Sequence, residues 1–148
     1  MLTKEQVLEF LLEVDSEFSP PLSSKLDLEL YAIKIVNNAI IISDIHNGNE
    51  LRGMAATYAN EERKHTAYLT FIGVKKCFRG LGIARSMINA TEAQLLKAGF
   101  SILRLEVYKE NRAIELYKDI GFEVYKESLD SYYMEKVIAK EMRSIGVE

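Results

Sequence analysis

Between Ala39 and Val74 three strand-type runs follow one another with only turns between them, whereas after Gly82 helix-length segments separate such runs. Ala39-Ile40-Ile41-Ile42-Ser43-Asp44-Ile45 is β-branched and short, and His46-Asn47-Gly48-Asn49-Glu50 has turn chemistry. Leu51 to Tyr58 reads as the returning arm of a hairpin. A charged tip from Asn60 to His65 then leads to a third run at Ala67 to Val74. These three runs predict an antiparallel meander. Later runs at Ile102 to Val107, Glu123 to Tyr125 and Tyr132 to Val137 alternate with helices predicted over 82–97 and 112–119, stopped by Gly99 and Gly121. Such a crossover order favours some parallel pairing, so the sheet is expected to be mixed.

Two helices precede the strands. Thr3-Lys4-Glu5-Gln6 is a capping-box pattern, and Val7, Phe10, Leu11 and Val14 recur behind it at helical spacing. Ser19-Pro20-Pro21 bars continuation, because proline lacks the N–H donor and restricts the residue before it. Ser24 to Asp27 offers a second cap. The following helix is expected to end near Asn37-Asn38, with Leu26, Leu30, Ile33 and Asn37 on one face and Leu28, Tyr31 and Ile35 beside them. No repeat or linker divides the chain, so residues 1–148 are expected to form a single domain.

Composition narrows the function. Hydrophobic residues make up 48% and charged residues 28% of 148, an ordinary globular balance. A formal charge of −3, without a dense Lys/Arg stripe on any predicted helix, argues against a nucleic-acid partner. Cys77 is single and His46 and His65 lack ligand spacing, so no disulfide within the chain and no metal site are expected. No run approaches the ~20 apolar residues of a membrane span, and the N-terminus lacks a signal-type apolar stretch. A cytoplasmic protein without a membrane partner is expected.

The most informative stretch is Ile72-Gly73-Val74, then Lys75 to Phe78, then Arg79-Gly80-Leu81-Gly82-Ile83-Ala84-Arg85. A buried strand passes through a short loop into small residues at a helix start. Small residues let the backbone approach a bulky anion, and the orphan N–H groups and dipole of the helix attract it. Pyrophosphate suits this geometry, although a plain tight turn feeding a helix has the same glycines. A Walker loop is excluded because Gly-x-x-x-x-Gly-Lys-Ser/Thr is missing. A dinucleotide fingerprint fails at Arg85, where a third small residue belongs, and at the intervening loop.

Here the chain resembles a known family. Arg79-Gly80-Leu81-Gly82-Ile83-Ala84 matches the Arg/Gln-x-x-Gly-x-Gly/Ala signature of the GNAT N-acetyltransferases. Leu105-Glu106-Val107, Asn111, Ala113-Ile114-Glu115-Leu116-Tyr117 and Gly121-Phe122 resemble the family's later signature. Together they cover roughly residues 67 to 125; the first sixty residues match only in outline, and the family's usual first strand is short or missing. The resemblance implies the GNAT fold, a mixed and mostly antiparallel α/β sheet of about six strands flanked by four helices. It also implies transfer of an acetyl group from acetyl-CoA to a primary amine by direct attack through a tetrahedral intermediate. An accessory module that binds acyl-CoA without catalysis is the alternative.

The resemblance further implies roles for individual residues. Backbone N–H groups of Arg79 through Ala84, with Arg85 beyond, would hold the coenzyme A pyrophosphate. Ile72, Gly73 and Val74 would lie along the pantetheine arm, pairing with it as an added strand, and the N–H of Val74 or a neighbour would polarise the thioester carbonyl. Asn111 would bond the cofactor arm, unless it only caps the next helix. It precedes Ala113 by two residues where the family has three, which reads as a one-residue deletion in this turn. Tyr117 would protonate the departing thiolate, unless its ring only packs the helix on the sheet. Glu106 stands where some relatives carry a base, and burial there would lift its pKa; an ion pair with Arg104 or a water chain are the rivals. Tyr58, Asn60 to His65, Leu22 to Leu28, Tyr132 and Tyr133 are candidates to border the acceptor, a small amine or a protein N-terminus. Cys77 is expected to fill the loop. Homodimers are common in the family.

Overall fold

The computed structural model describes residues 1–61 and 65–139. The first helix, α1 (Lys4–Val14), begins at a complete capping box. The Gln6 N–H donates to Thr3 Oγ1 at 3.1 Å and the Thr3 N–H donates to Gln6 Oε1 at 2.8 Å. Short 3-10 turns at Asp15–Glu17 and Leu22–Ser24 separate it from α2 (Leu28–Asn38), capped by Asp27, whose Oδ1 accepts from the Leu30 N–H at 3.1 Å. The strands β1 (Ala39–His46), β2 (Glu50–Glu61) and β3 (Thr66–Val74) form the expected meander. Then follow α3 (Ile83–Lys97), β4 (Ile102–Tyr108), α4 (Ala113–Ile120), β5 (Glu123–Glu127) and β6 (Ser131–Val137). Strand order is β1-β2-β3-β4-β6-β5, and β3–β4 is the parallel pair in an otherwise antiparallel sheet.

Helices cover the sheet from both sides. Val7, Phe10, Leu11, Ala32 and Ile35 of α1 and α2 pack on Met54, Ala56 and Phe71. Ile83, Met87 and Ile88 of α3, with Ile114 and Tyr117 of α4, pack on Ala55, Leu69, Leu103, Leu105 and Met134. Each large side chain sealed in these cores contributes on the order of 1.5–3 kcal/mol. The face expected of α2 is corrected: Leu28, Ala32 and Ile35 are buried, while Leu30 and Ile33 are 63% and 37% exposed. This helix is apolar on most sides, so two helical periods compete, and contact with α1 and the sheet decides between them.

One irregularity in β3 shapes the molecule. Thr57 pairs with Leu69 and Ala56 with Phe71, so Thr70 is an extra residue, a bulge. An extra residue reverses side-chain alternation. Leu69 accordingly joins the α3/α4 core and Phe71 the α1/α2 core. Tyr31 on α2 secures the bulge: its hydroxyl donates to the Thr70 carbonyl at 2.9 Å, with Thr70 Oγ1 at 2.8 Å.

Candidate active site

Parallel pairing of β3 and β4 covers only Thr66–Ile102, Ala67–Leu103 and Tyr68–Arg104. Beyond the bulge β3 follows β2 and β4 follows β6, and the sheet splits. The Lys75 N–H donates to the Arg52 carbonyl of β2 at 2.8 Å. By alternation, the backbone groups of Ile72 and Val74 turn the other way, into the split. The Val74 carbonyl there accepts from Arg79 Nε at 3.1 Å, while Arg79 Nη2 pairs with Glu17. Gly73 is required by packing, since a Cβ would lie 2.8 Å from the Phe71 ring.

The glycine loop closes one end of the split. Residues Lys76–Phe78 make a 3-10 turn, in which the Arg79 N–H donates to the Lys76 carbonyl at 3.3 Å. That donor is therefore engaged, and the expectation that Arg79 joins the anion cradle through its own N–H is corrected. The N–H groups of Gly80, Leu81, Gly82, Ile83, Ala84 and Arg85 meet no acceptor among the described residues. Gly80 (φ 83°) and Gly82 (φ 79°) adopt left-handed backbone, and a Cβ on either would touch nothing within 4 Å. Such glycines serve the path of the chain and leave its concave side open. Six orphan donors at the start of the fifteen-residue α3 suit a phosphate anion.

Split and loop belong to one cleft of about 1050 Å³. Ile72, Gly73, Val74, Arg79, Gly80 and Gly82 line it, as do Ile83, Ala84 and Arg85. Leu81 does not; its side chain is 64% exposed. From the second half of the chain come Glu106, Asn111 and Tyr117. The two sequence signatures thus meet in one cavity. Among the acceptor candidates, Leu22, Lys25 and Leu26 line the cleft, whereas Tyr58, Asn60, Tyr132 and Tyr133 do not. Cys77, in the loop, is exposed and does not line it either. The tip residues 62–64 lie outside the described residues. Tyr31, Tyr68, Thr70 and Tyr108 line the cleft without having been singled out by the sequence. Nothing local marks them, because the bulge and the split exist only once distant strands pair.

Tyr117 is 6% exposed, its ring edge-on to Phe122 with centroids 5.9 Å apart. Burial pushes its phenol up to about 12, so it stays protonated at neutral pH. Asn111 holds the start of α4 from the position before its N-cap residue Arg112, its Oδ1 accepting from the Ala113 N–H at 2.8 Å. Its amide NH₂ makes no hydrogen bond among the described residues, and Asn111 lines the cleft. Glu106 is exposed, which corrects the expectation of a buried carboxyl. Its rival reading is also corrected: Arg104 Nε pairs with Glu135 across the β4–β6 ladder at 2.9 Å, and Glu106 makes no ion pair among the described residues. No cluster of three His, Cys, Asp or Glu among the described residues is placed to hold a metal ion.

Residues 7–122 match the family model described as Acetyltransferase (GNAT) family. The chain belongs to the GNAT acetyltransferase family. The GNAT match thus reaches back through α1, α2 and the hairpin, which in sequence resemble the family only in outline. No curated protein is matched by sequence. Solved structures share the GNAT fold at low identity. An aminoglycoside 6'-N-acetyltransferase complexed with coenzyme A has a TM-score of 0.77 at 13% identity, covering 93% of this chain and 92% of that one. The PaiA N-acetyltransferase of Thermoplasma acidophilum, in complex with coenzyme A, has 0.73 at 15%, covering 92% and 95%. The ribosomal-protein-S18-alanine N-acetyltransferase of Escherichia coli has 0.73 at 22%, covering 95% and 94%.

Proposed function

We propose that the chain, as a single catalytic domain, transfers the acetyl group of acetyl-CoA to a primary amine. The observation that carries this reading is the junction, in one cleft, of five residues with unpartnered N–H groups, Gly80 and Gly82 to Arg85, with the split between β3 and β4. The loop takes the pyrophosphate. Backbone groups of Ile72 and Val74 bond the pantetheine amides, and the Asn111 amide steadies the same arm. Two of the solved neighbours are complexes with coenzyme A, which supports this fit.

The amine nitrogen attacks the thioester carbonyl directly, and a β3 N–H facing the split stabilises the oxyanion. As the C–S bond breaks, Tyr117 gives its proton to the thiolate sulfur, and the surplus proton on the attacking nitrogen passes through water to restore the phenol, leaving a neutral amide. The amine arrives as an ammonium and loses its proton to Glu106, directly or through water, before attack. An exposed carboxylate is a weak base, so its contribution is to hold the ammonium and pass its proton to solvent.

Calorimetric titration with acetyl-CoA and with coenzyme A tests this reading, using an Arg79→Glu/Gly82→Glu variant for comparison. Binding by the parent and its loss in the folded variant are expected, followed by thiol release when amines are added. A folded parent that binds neither ligand overturns the proposal.

A further inference from the structure

The chain has eight tyrosines, and the protein's own cations lie over five of their rings. Arg104 is 4.5 Å from the Tyr125 centroid, Lys126 is 4.8 Å from Tyr133, and Lys109 is 5.2 Å from Tyr132. Lys34 is 5.3 Å from Tyr58 and Lys25 is 5.6 Å from Tyr108. Of the other three, Tyr31 gives its hydroxyl to Thr70 and Tyr117 is buried against Phe122. Tyr68 remains: it is 40% exposed, lines the cleft where the split begins, and carries no side-chain cation among the described residues.

The neighbours of Tyr68 have partners elsewhere. Its register partners are Tyr58, under Lys34, and Arg104, whose guanidinium is turned to Glu135 and Tyr125. Glu106 lines the same cleft, two residues beyond Arg104 on the same face of β4. Glu17, the cleft carboxylate on the other wall, is taken by Arg79. Burial first, and then the charge of Glu106, push the Tyr68 phenol up to about 12. An aromatic face beside an unpaired carboxylate is a cation seat.

We infer that the acceptor carries a positive charge besides its reacting nitrogen, seated over the Tyr68 ring beside Glu106. The substrate class is thereby amines with a second cationic group, as opposed to those whose remainder is neutral or acidic. This inference rests on the acetyl-transfer reading for its meaning, but not for its measurement. A cation over an aromatic face strengthens binding about three- to thirtyfold over an uncharged group of the same shape.

The test uses choline and its uncharged isostere 3,3-dimethyl-1-butanol, neither of which carries a primary amine. Each is titrated at low salt into protein saturated with coenzyme A and followed by NMR shifts. Choline is expected to bind at least about threefold more tightly. Tyr68→Phe should keep that preference, and Tyr68→Leu should abolish it without changing coenzyme A affinity. Equal binding of the two probes, no binding of choline, or a preference that survives Tyr68→Leu overturns the inference. If the parent fails to bind coenzyme A, the acetyl-transfer reading falls separately, and the two probes are compared on the protein alone.

Discussion

Gly82→Ala is the sharpest probe of the anion loop, because the structure supplies its own control. Gly82 has φ 79° and Gly48, in the β1–β2 turn, has φ 89°, and a Cβ at either position meets nothing within 4 Å. The folding cost of alanine is then purely conformational and the same at both sites, about 1 kcal/mol. For a chain of this length that lowers Tm by roughly 2–4 °C. Binding separates the two sites. Gly82 lines the cleft beside the orphan N–H groups, so on the proposed reading its methyl would crowd the pyrophosphate, and acetyl-CoA affinity should fall at least about tenfold, or 1.4 kcal/mol. Gly48→Ala should bind like the parent. Thermal melts and calorimetry on the two variants read both quantities. If both variants lose affinity equally, or if Gly82→Ala binds like the parent, the loop is an ordinary turn and the reasoning fails.

Tyr117→Phe should leave stability within about 0.5 kcal/mol, because the hydroxyl makes no hydrogen bond among the described residues, yet lower kcat about 10²–10⁴-fold in a thiol-release assay. With the phenol pushed up to about 12, its deprotonation should not depress kcat below about pH 11; a loss near pH 9 traceable to this group would contradict the burial argument. Asn111→Asp retains the capping oxygen and loses the amide donor, so it should melt near the parent and bind acetyl-CoA more weakly, whereas Asn111→Ala should also cost about 1 kcal/mol of stability; parent-like binding by the aspartate variant refutes the cofactor role. Ser23 donates to Asp15 through its hydroxyl and its N–H, at 2.6 and 2.7 Å, which holds that carboxyl below the usual range. The resulting stability is present above the unfolded pKa of about 3.9 and disappears as pH falls through the folded value, so Tm–pH curves of the parent and Ser23→Ala should converge in acid. Curves that stay parallel would show that the bond does not act through titration.

Features that depend on short-range chemistry were legible in the sequence. The capping box at Thr3, the turn at Asn47-Gly48, the glycine loop and the order of strands and helices are each encoded within a few residues. What was not legible depends on partners far along the chain. The buried face of α2 is chosen by its contacts with α1 and the sheet, and the helix itself offers two apolar stripes. The extra residue at Thr70 changes no local pattern, since Tyr68 to Val74 still reads as an ordinary strand; only pairing with Ala56 and Thr57 exposes it. The same holds for Arg104, whose partner Glu135 lies 31 residues away on a neighbouring strand. The exposure of Glu106 is not legible for a related reason. Alternation sets it opposite the buried Leu105 and Val107, but only tertiary packing decides whether the other face of β4 is covered.

The three-residue seam between β3 and β4 has a consequence for how far this protein could be stabilised. Zipping the strands together beyond Tyr68 and Arg104 would add rungs to the ladder and strengthen the fold, but on the proposed reading those rungs would use the donors and acceptors that hold the pantetheine arm. Cohesion and recognition compete for one set of backbone groups. Selection for a tougher scaffold at this seam should therefore yield a sturdier molecule that has lost its ligand, and the unfinished ladder is where activity sets a ceiling on robustness.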